Sequence, residues 1–215
     1  MTLRSWRLLR LLPAAALLCL CPQESHGVEL NLAALSCSQY ENEILPSTMP
    51  GYKVDPIDTV MWLFGFSVAK SGERVMYGDS LTAFGFALDA KCKSSPATTL
   101  LEAVSTVKSK RDNPMDLTRL DCATFETRHL ALRKSDPESA TTLTMWLFGY
   151  AAGVSGGGQF DAGAVDRFDS SLNEWCNNHP GDSLFDALSA PNQAVPKPRH
   201  TPTKSTAPAA AAPNR

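Results

Sequence analysis

The sequence lacks the residue patterns on which most enzymes and metal proteins depend. It contains 4 histidines in 215 residues. Past the N-terminal segment these are His129, His179 and His200, and none has a partner at a catalytic or metal-ligand spacing. No Cys-x-x-Cys pair is present, which argues against a zinc site or a redox-active dithiol. We therefore predict a protein that is not an enzyme and binds no cofactor or metal.

Long apolar runs and alternating patterns are also missing. No stretch approaches 18 uninterrupted apolar residues, so no transmembrane segment is predicted. No segment alternates apolar and polar side chains in the manner of a strand, so strands are not expected. Residues 28–190 hold 21 acids against 13 lysines and arginines, a balance that argues against nucleic-acid binding. An all-α fold is the prediction.

The two ends of the chain differ from its middle. Residues 1–27 combine three arginines, an apolar run over 11–21 and small residues before Val28, as in a cleaved signal peptide. This predicts export to the periplasm; lipoprotein-type cleavage before Cys21 and an uncleaved N-terminal helix are the alternatives. Residues 191–215 are rich in proline and alanine, carry a charge of +4 and predict a disordered basic tail.

One hexapeptide occurs twice in the middle of the chain. Residues 61–66 read Met-Trp-Leu-Phe-Gly-Phe, and residues 145–150, at an offset of 84, read Met-Trp-Leu-Phe-Gly-Tyr. Neighbouring cysteine, glycine and proline positions match at the same offset or within one residue of it. The sequence therefore predicts a tandem duplication, with repeat 1 at 28–105, a polar linker at 106–115 and repeat 2 at 116–190.

Each hexapeptide lies between two cysteines. An even number of cysteines in an exported chain predicts disulfides. Of the six cysteines, Cys19 and Cys21 lie in the predicted signal peptide, and removing it leaves four. Four cysteines allow three pairings, and the duplication favours Cys37–Cys92 and Cys122–Cys176 because each repeat then carries the same bridge. Such bridges suit domains of about 75 residues, whose cores are marginal without them.

Capping signals place helices along both repeats. Asp55-Pro56 and Asp136-Pro137 each offer an N-cap followed by proline, and Gly72 and Gly156 stop the helices that follow. We also expect a helix over about 30–45 and a last helix opening at Ser95-Pro96. His129 is placed on a helix surface.

The hexapeptide helices are apolar nearly all round, which implies burial on more than one side. Gly65 and Gly149 lie mid-helix at a cost of about 1 kcal/mol relative to alanine, so each is predicted to be a close-packing position. The side away from each repeat's core is the candidate interface or client-binding surface. It comprises Trp62, Leu63, Phe66, Trp146, Leu147 and Tyr150. A simple core role for all six is the alternative.

These features together resemble the periplasmic acid-stress chaperones of the HdeA/HdeB type. The resemblance rests on the helix opening at Asp121-Cys122, the Trp-Leu-Phe-Gly-Tyr stretch at 146–150, and Cys176 to Pro180 followed by Leu184 to Ala187. Repeat 1 carries the same frame. The resemblance implies small all-helical domains, each stapled by one disulfide, that separate in acid and bind unfolded proteins.

Two copies in one chain depart from the usual single domain and could pack as an intramolecular pseudo-dimer. Below about pH 3 the carboxylates would be neutral and residues 28–190 would carry about +15, which favours opening. The expected partners are unfolded periplasmic proteins. The alternative is a periplasmic binding or immunity-type module for one specific protein.

Overall fold

The computed structural model describes five stretches of the chain, residues 30–46, 55–77, 80–107, 114–160 and 163–190. Helices account for most of them, which confirms the all-α prediction. The predicted signal peptide, the tail and most of the linker lie outside the described residues. Among the helices described, none is both long and apolar enough to span a bilayer.

The first repeat consists of helices and two short strands. It begins with β1 (Leu30–Asn31) and a short helix α1 (Cys37–Gln39), which continues directly into a π-helical segment at Tyr40–Ile44. The remaining elements are α2 (Pro56–Lys70), β2 (Val75–Tyr77), α3 (Leu81–Ser94) and α4 (Leu100–Thr106).

The second repeat has the same order of elements with a longer first helix. Its elements are β3 (Pro114–Asp116), α5 (Cys122–Ser135), α6 (Pro137–Ser155), β4 (Gln159–Phe160), α7 (Ala164–Asn178) and α8 (Leu184–Ser189). β3 begins within the predicted linker, two residues before the predicted start of repeat 2 at residue 116. The central helix of each repeat, α2 or α6, carries one hexapeptide.

The central helices begin where their caps predict. The Asp55 carboxylate accepts a hydrogen bond from the Ile57 N–H at 2.8 Å, and that of Asp136 accepts one from the Ser139 N–H at 3.1 Å. Each bond satisfies an N–H that has no partner within the helix. At the other end of α6, Gly156 is left-handed with φ of 78°, a conformation that costs glycine nothing.

Two helix predictions were wrong. The segment 30–45 is not one helix, because its first residues pair as a strand and its helical part begins at Cys37. The last helix of repeat 1 begins at Leu100 after the N-cap Thr99, not at Ser95-Pro96. The residues between Ser95 and Leu100 form a turn, and backbone N–H groups of α1 donate hydrogen bonds to its carbonyls. One of these joins the Cys37 N–H to the Thr98 carbonyl at 2.9 Å.

The expectation of no strands was also wrong, although the strands are only two or three residues long. β1 pairs antiparallel with β4, and β2 pairs antiparallel with β3, so each pair joins one repeat to the other. Asn31 lies opposite Gln159 in one pair, and Asp116 lies opposite Val75 in the other. Those partners occupy matching positions of the two repeats. Each repeat therefore pairs its first strand with the second strand of the other repeat, as two subunits related by a two-fold axis would.

Both predicted disulfides are present, Cys37–Cys92 and Cys122–Cys176, and all four cysteines are buried. Each bridge ties the first helix of its repeat to the third. A second contact repeats beside it, because the N–H of Leu100 bonds the Leu35 carbonyl at 2.7 Å and that of Leu184 bonds the Leu120 carbonyl at 2.8 Å.

Candidate functional site

The two hexapeptides meet each other at the centre of the molecule. α2 packs against α6 in the most extensive helix contact of the described residues. Gly149 faces Trp62, Gly65 faces Trp146 and Tyr150, and Gly153 faces Phe66 and Ala69. Because these contacts advance together along both helices, α2 and α6 run in the same direction.

Two glycines allow this close approach. A Cβ on Gly65 would lie 2.1 Å from the Trp146 carbonyl oxygen, and one on Gly149 would lie 1.9 Å from the Trp62 carbonyl oxygen. Each glycine therefore lies against the backbone of the other repeat's central helix.

A further small residue, overlooked in the sequence, extends this contact. A Cβ on Gly153 would lie 2.6 Å from the Ala69 Cβ. The two residues follow Gly149 and Gly65 by four positions, the small-x-x-x-small spacing typical of closely packed parallel helices. That spacing occurs in both hexapeptide helices, and it is the sequence signal that could have predicted the part played by Gly153 and Ala69 in this contact.

The candidate interface or client-binding residues are all buried. Their exposed fractions lie between 0 and 5 % for Trp62, Leu63, Phe66, Trp146, Leu147 and Tyr150. Trp62 contacts two rings of the other repeat edge-on, those of Phe148 and Phe160, at 6.1 and 6.5 Å between centroids. Trp62 therefore packs on rings of the other repeat, whereas the Tyr150 ring lies edge-on against Phe185 of its own repeat at 4.9 Å.

The opposite side of each hexapeptide faces its own repeat. Phe64 packs on Phe84 of α3 with ring centroids 5.0 Å apart, and Phe148 packs on Phe168 of α7 at 5.1 Å. Because one side serves the core and the other the second repeat, the central helix needs no polar face.

The contact between repeats leaves polar atoms without partners. The indole Nε1 atoms of Trp62 and Trp146 are buried and meet no acceptor among the described residues. A buried donor without a partner costs about 1–3 kcal/mol. By contrast, the Tyr150 hydroxyl crosses the interface and donates to the Glu73 carbonyl at 3.1 Å. The interface is therefore apolar and tight, but not optimised.

The expected surface position of His129 was wrong, because its side chain is only 4 % exposed. The ring stacks on Phe125 at 5.0 Å between centroids, and its Nε2 lies 3.2 Å from the Thr144 hydroxyl of α6. Burial, with a smaller contribution from Arg133, lowers the pKa of His129. The histidine therefore stays neutral in the fold at pH values where a solvated one would begin to charge.

Acidic side chains form a partly buried cluster beside His129. Arg133 of α5 pairs with Asp169 of α7, and Asn173 donates to Asp169 at 3.2 Å. Burial and the nearby Asp169 raise the pKa of Glu126. At the matching position of repeat 1, burial and Asp89 raise the pKa of Glu41. Each repeat thus holds one glutamate that takes up a proton more readily when folded.

These groups act in opposite directions as pH falls. His129 contributes stability above its unfolded pKa of about 6.5, and this stability is lost as acid protonates the unfolded chain first. Glu41 and Glu126 do the reverse, since a raised folded pKa gives stability in acid that is lost as pH rises through it. Acid therefore weakens the α5–α6 contact at His129, while protonation of the partly buried Glu41 and Glu126 removes the cost of holding their charges in the fold.

The other candidate groups are scattered. His179 is exposed, stacks on Trp175 at 4.2 Å and has its Nδ1 3.0 Å from the Trp175 carbonyl oxygen. His200 lies outside the described residues. Within the described part of the chain, no three His, Cys, Asp or Glu side chains come together as metal ligands.

Comparisons with protein-family models, curated proteins and solved structures gave no match to this chain.

Proposed function

We propose that this protein is an exported acid-stress chaperone of the HdeA/HdeB type, held closed at neutral pH by its own duplication. One observation carries the proposal. The most apolar surfaces of the two repeats, on α2 and α6, cover each other. Separation of the repeats would present Trp62, Phe66, Trp146 and Tyr150 to unfolded clients without dismantling either disulfide-stapled repeat.

The closed contact has features that favour reversible opening. Two unpaired indole donors lower its stability, by about 1–3 kcal/mol each. Between the repeats, the described backbone hydrogen bonds are those of two strand pairs, two and three residues long, and one from the Leu32 N–H to the Gly158 carbonyl at 2.8 Å. Strand pairs of this length are marginal on their own.

The change in net charge on acidification drives the separation of the repeats. At neutral pH residues 28–190 are acidic, whereas below about pH 3 their 13 lysines and arginines and two histidines stand without carboxylate counter-charges. The resulting repulsion acts on both repeats. Protonation of His129 in the unfolded chain lowers the stability of the fold from near neutrality downward, and the partly buried Glu41 and Glu126 oppose this loss as the pH falls. We therefore place opening well below pH 6.5.

The test is suppression of aggregation of several unrelated acid-sensitive proteins, with binding of an apolar-surface dye measured in parallel. Protection and dye binding should rise together on acidification while the helical far-ultraviolet dichroism persists. Phe86→Ala is the matched control, because Phe86 is 72 % exposed and lies outside the α2–α6 contact. This variant should protect clients as well as the parent chain.

Dye binding and protection that stay flat from neutral to acid pH would refute the proposal. Recovery of a single tight partner at neutral pH, without general protection in acid, would instead support the binding-module alternative.

A further inference from the structure

Repeat 2 contains a cavity of about 360 Å³ on the side of α6 that faces α5. It lies between α5, α6, the first residue of α8 and the segment before α5. Its walls are mostly leucine side chains. These are Leu117, Leu120, Leu132, Leu143, Leu147 and Leu184.

Two arginines, Arg119 and Arg128, also line this cavity, and both are exposed. No acid occurs among its described lining residues. Asp121 lies near Arg128, but its carboxylate caps α5 by accepting from the Thr124 N–H at 2.6 Å, which is the main cause of its lowered pKa. Thr124, Phe125 and the buried His129 complete the lining, so the cavity combines a mostly apolar interior with a cationic rim.

The basic residues are specific to repeat 2. When Cys37 is aligned with Cys122, the positions of Arg119 and Arg128 correspond to Ala34 and Glu43. Four of the leucines are shared. Leu117 and Leu120 correspond to Leu32 and Leu35 in this alignment, and Leu147 and Leu184 correspond to Leu63 and Leu100 when the hexapeptides are aligned. The two copies thus keep the same packing but differ in charge at the rim.

We propose that this cavity binds the carboxylate of a medium-chain fatty acid, with the hydrocarbon among the leucines and the carboxylate between Arg119 and Arg128. The chemistry fits because arginine pairs well with carboxylates while an alkyl chain needs only apolar walls. The volume of about 360 Å³ lies near the lower end of the range of about 300–1,000 Å³ that is usual for small-molecule sites, which suits a chain of about ten carbons such as decanoate.

The experiment is calorimetric titration of the full chain at neutral pH with decanoate, with decanol as the uncharged probe. Decanoate should bind more tightly than decanol. Arg119→Ala and Arg128→Ala should each weaken decanoate binding roughly 3- to 10-fold, the range between an exposed and a partly desolvated charged hydrogen bond. Neither change should affect decanol. Lys134→Ala is the matched control, since this exposed cation on α5 does not line the cavity and its loss should change nothing.

Leu132→Trp tests the cavity itself, because the larger side chain should fill it and abolish binding of both probes. Thermal unfolding of each variant verifies that it is folded, and both arginines are surface residues whose loss leaves the core intact. The proposal is overturned if decanoate does not bind, if decanol binds equally well, or if the arginine variants bind decanoate like the parent chain.

Discussion

Substitution of Gly149 by alanine tests the close approach of the two central helices. The new Cβ would lie 1.9 Å from the Trp62 carbonyl oxygen, about 1.5 Å short of the 3.4 Å at which ordinary contact begins. The obstacle is backbone and cannot rotate away, so α2 has to move as a unit. Such a shift would loosen the aromatic packing on both sides of the contact.

The expected magnitude follows from opposing effects. Overpacking costs about 1–3 kcal/mol, and gaps left by a displaced helix add a cost of the same order. Alanine returns about 1 kcal/mol of helix propensity. The net loss of unfolding free energy should be roughly 2–4 kcal/mol, equivalent to a fall in Tm of roughly 5–15 °C for a chain of this length.

Gly85→Ala is the matched control. Gly85 is also a mid-helix glycine, on α3, but the nearest atom to an added Cβ is the Val60 Cγ1 at 3.9 Å. This variant should gain up to about 1 kcal/mol. Urea unfolding at neutral pH, followed by tryptophan fluorescence, measures both variants. If Gly149→Ala proved as stable as Gly85→Ala, the helices would not be in backbone contact and the account of the interface would be wrong.

Three further predictions concern repeat 2. His129→Ile copies the buried Ile44 of repeat 1 and should reduce the loss of unfolding free energy between pH 7 and pH 5, which for one proton is at most about 1.4 kcal/mol per pH unit. Urea unfolding across that pH range measures the loss. An unchanged dependence of stability on pH would contradict the prediction. Glu126→Gln should stabilise the fold at neutral pH, because burial and the nearby Asp169 disfavour the glutamate's charged form, and the gain should shrink in acid. A gain that does not vary with pH would contradict this. Removing the Cys122–Cys176 bridge with paired serines should cost about 4 kcal/mol for a 54-residue separation, and thermal unfolding that shows no change would exclude a stapling role.

The sequence predicted the features that depend on local chemistry. Asp136-Pro137 fixes the start of α6 and Gly156 its end, because capping and left-handed backbone conformations depend on individual residues. The duplication resolved the disulfide pairing, since only one of the three pairings gives both repeats the same bridge.

The features that depend on contacts between repeats were not predictable from local patterns. β1 and β4 are too short to show alternation, and they are extended because segments of different repeats meet there. His129 appeared polar and was placed outside. Two signals could have corrected this: its spacing of four from Phe125 and seven from Cys122, and the isoleucine at the matching position of repeat 1.

Acrylamide quenching of Trp62 and Trp146 tests the separation of the repeats most directly. Replacing Trp6 and Trp175 by phenylalanine leaves only these two indoles, both with 0 % of their surface exposed. If the repeats separate in acid, quenching should be weak at neutral pH and strong near pH 3, with helical dichroism and both disulfides retained. Quenching that stays weak in acid, or rises only when the helices are lost, would contradict it.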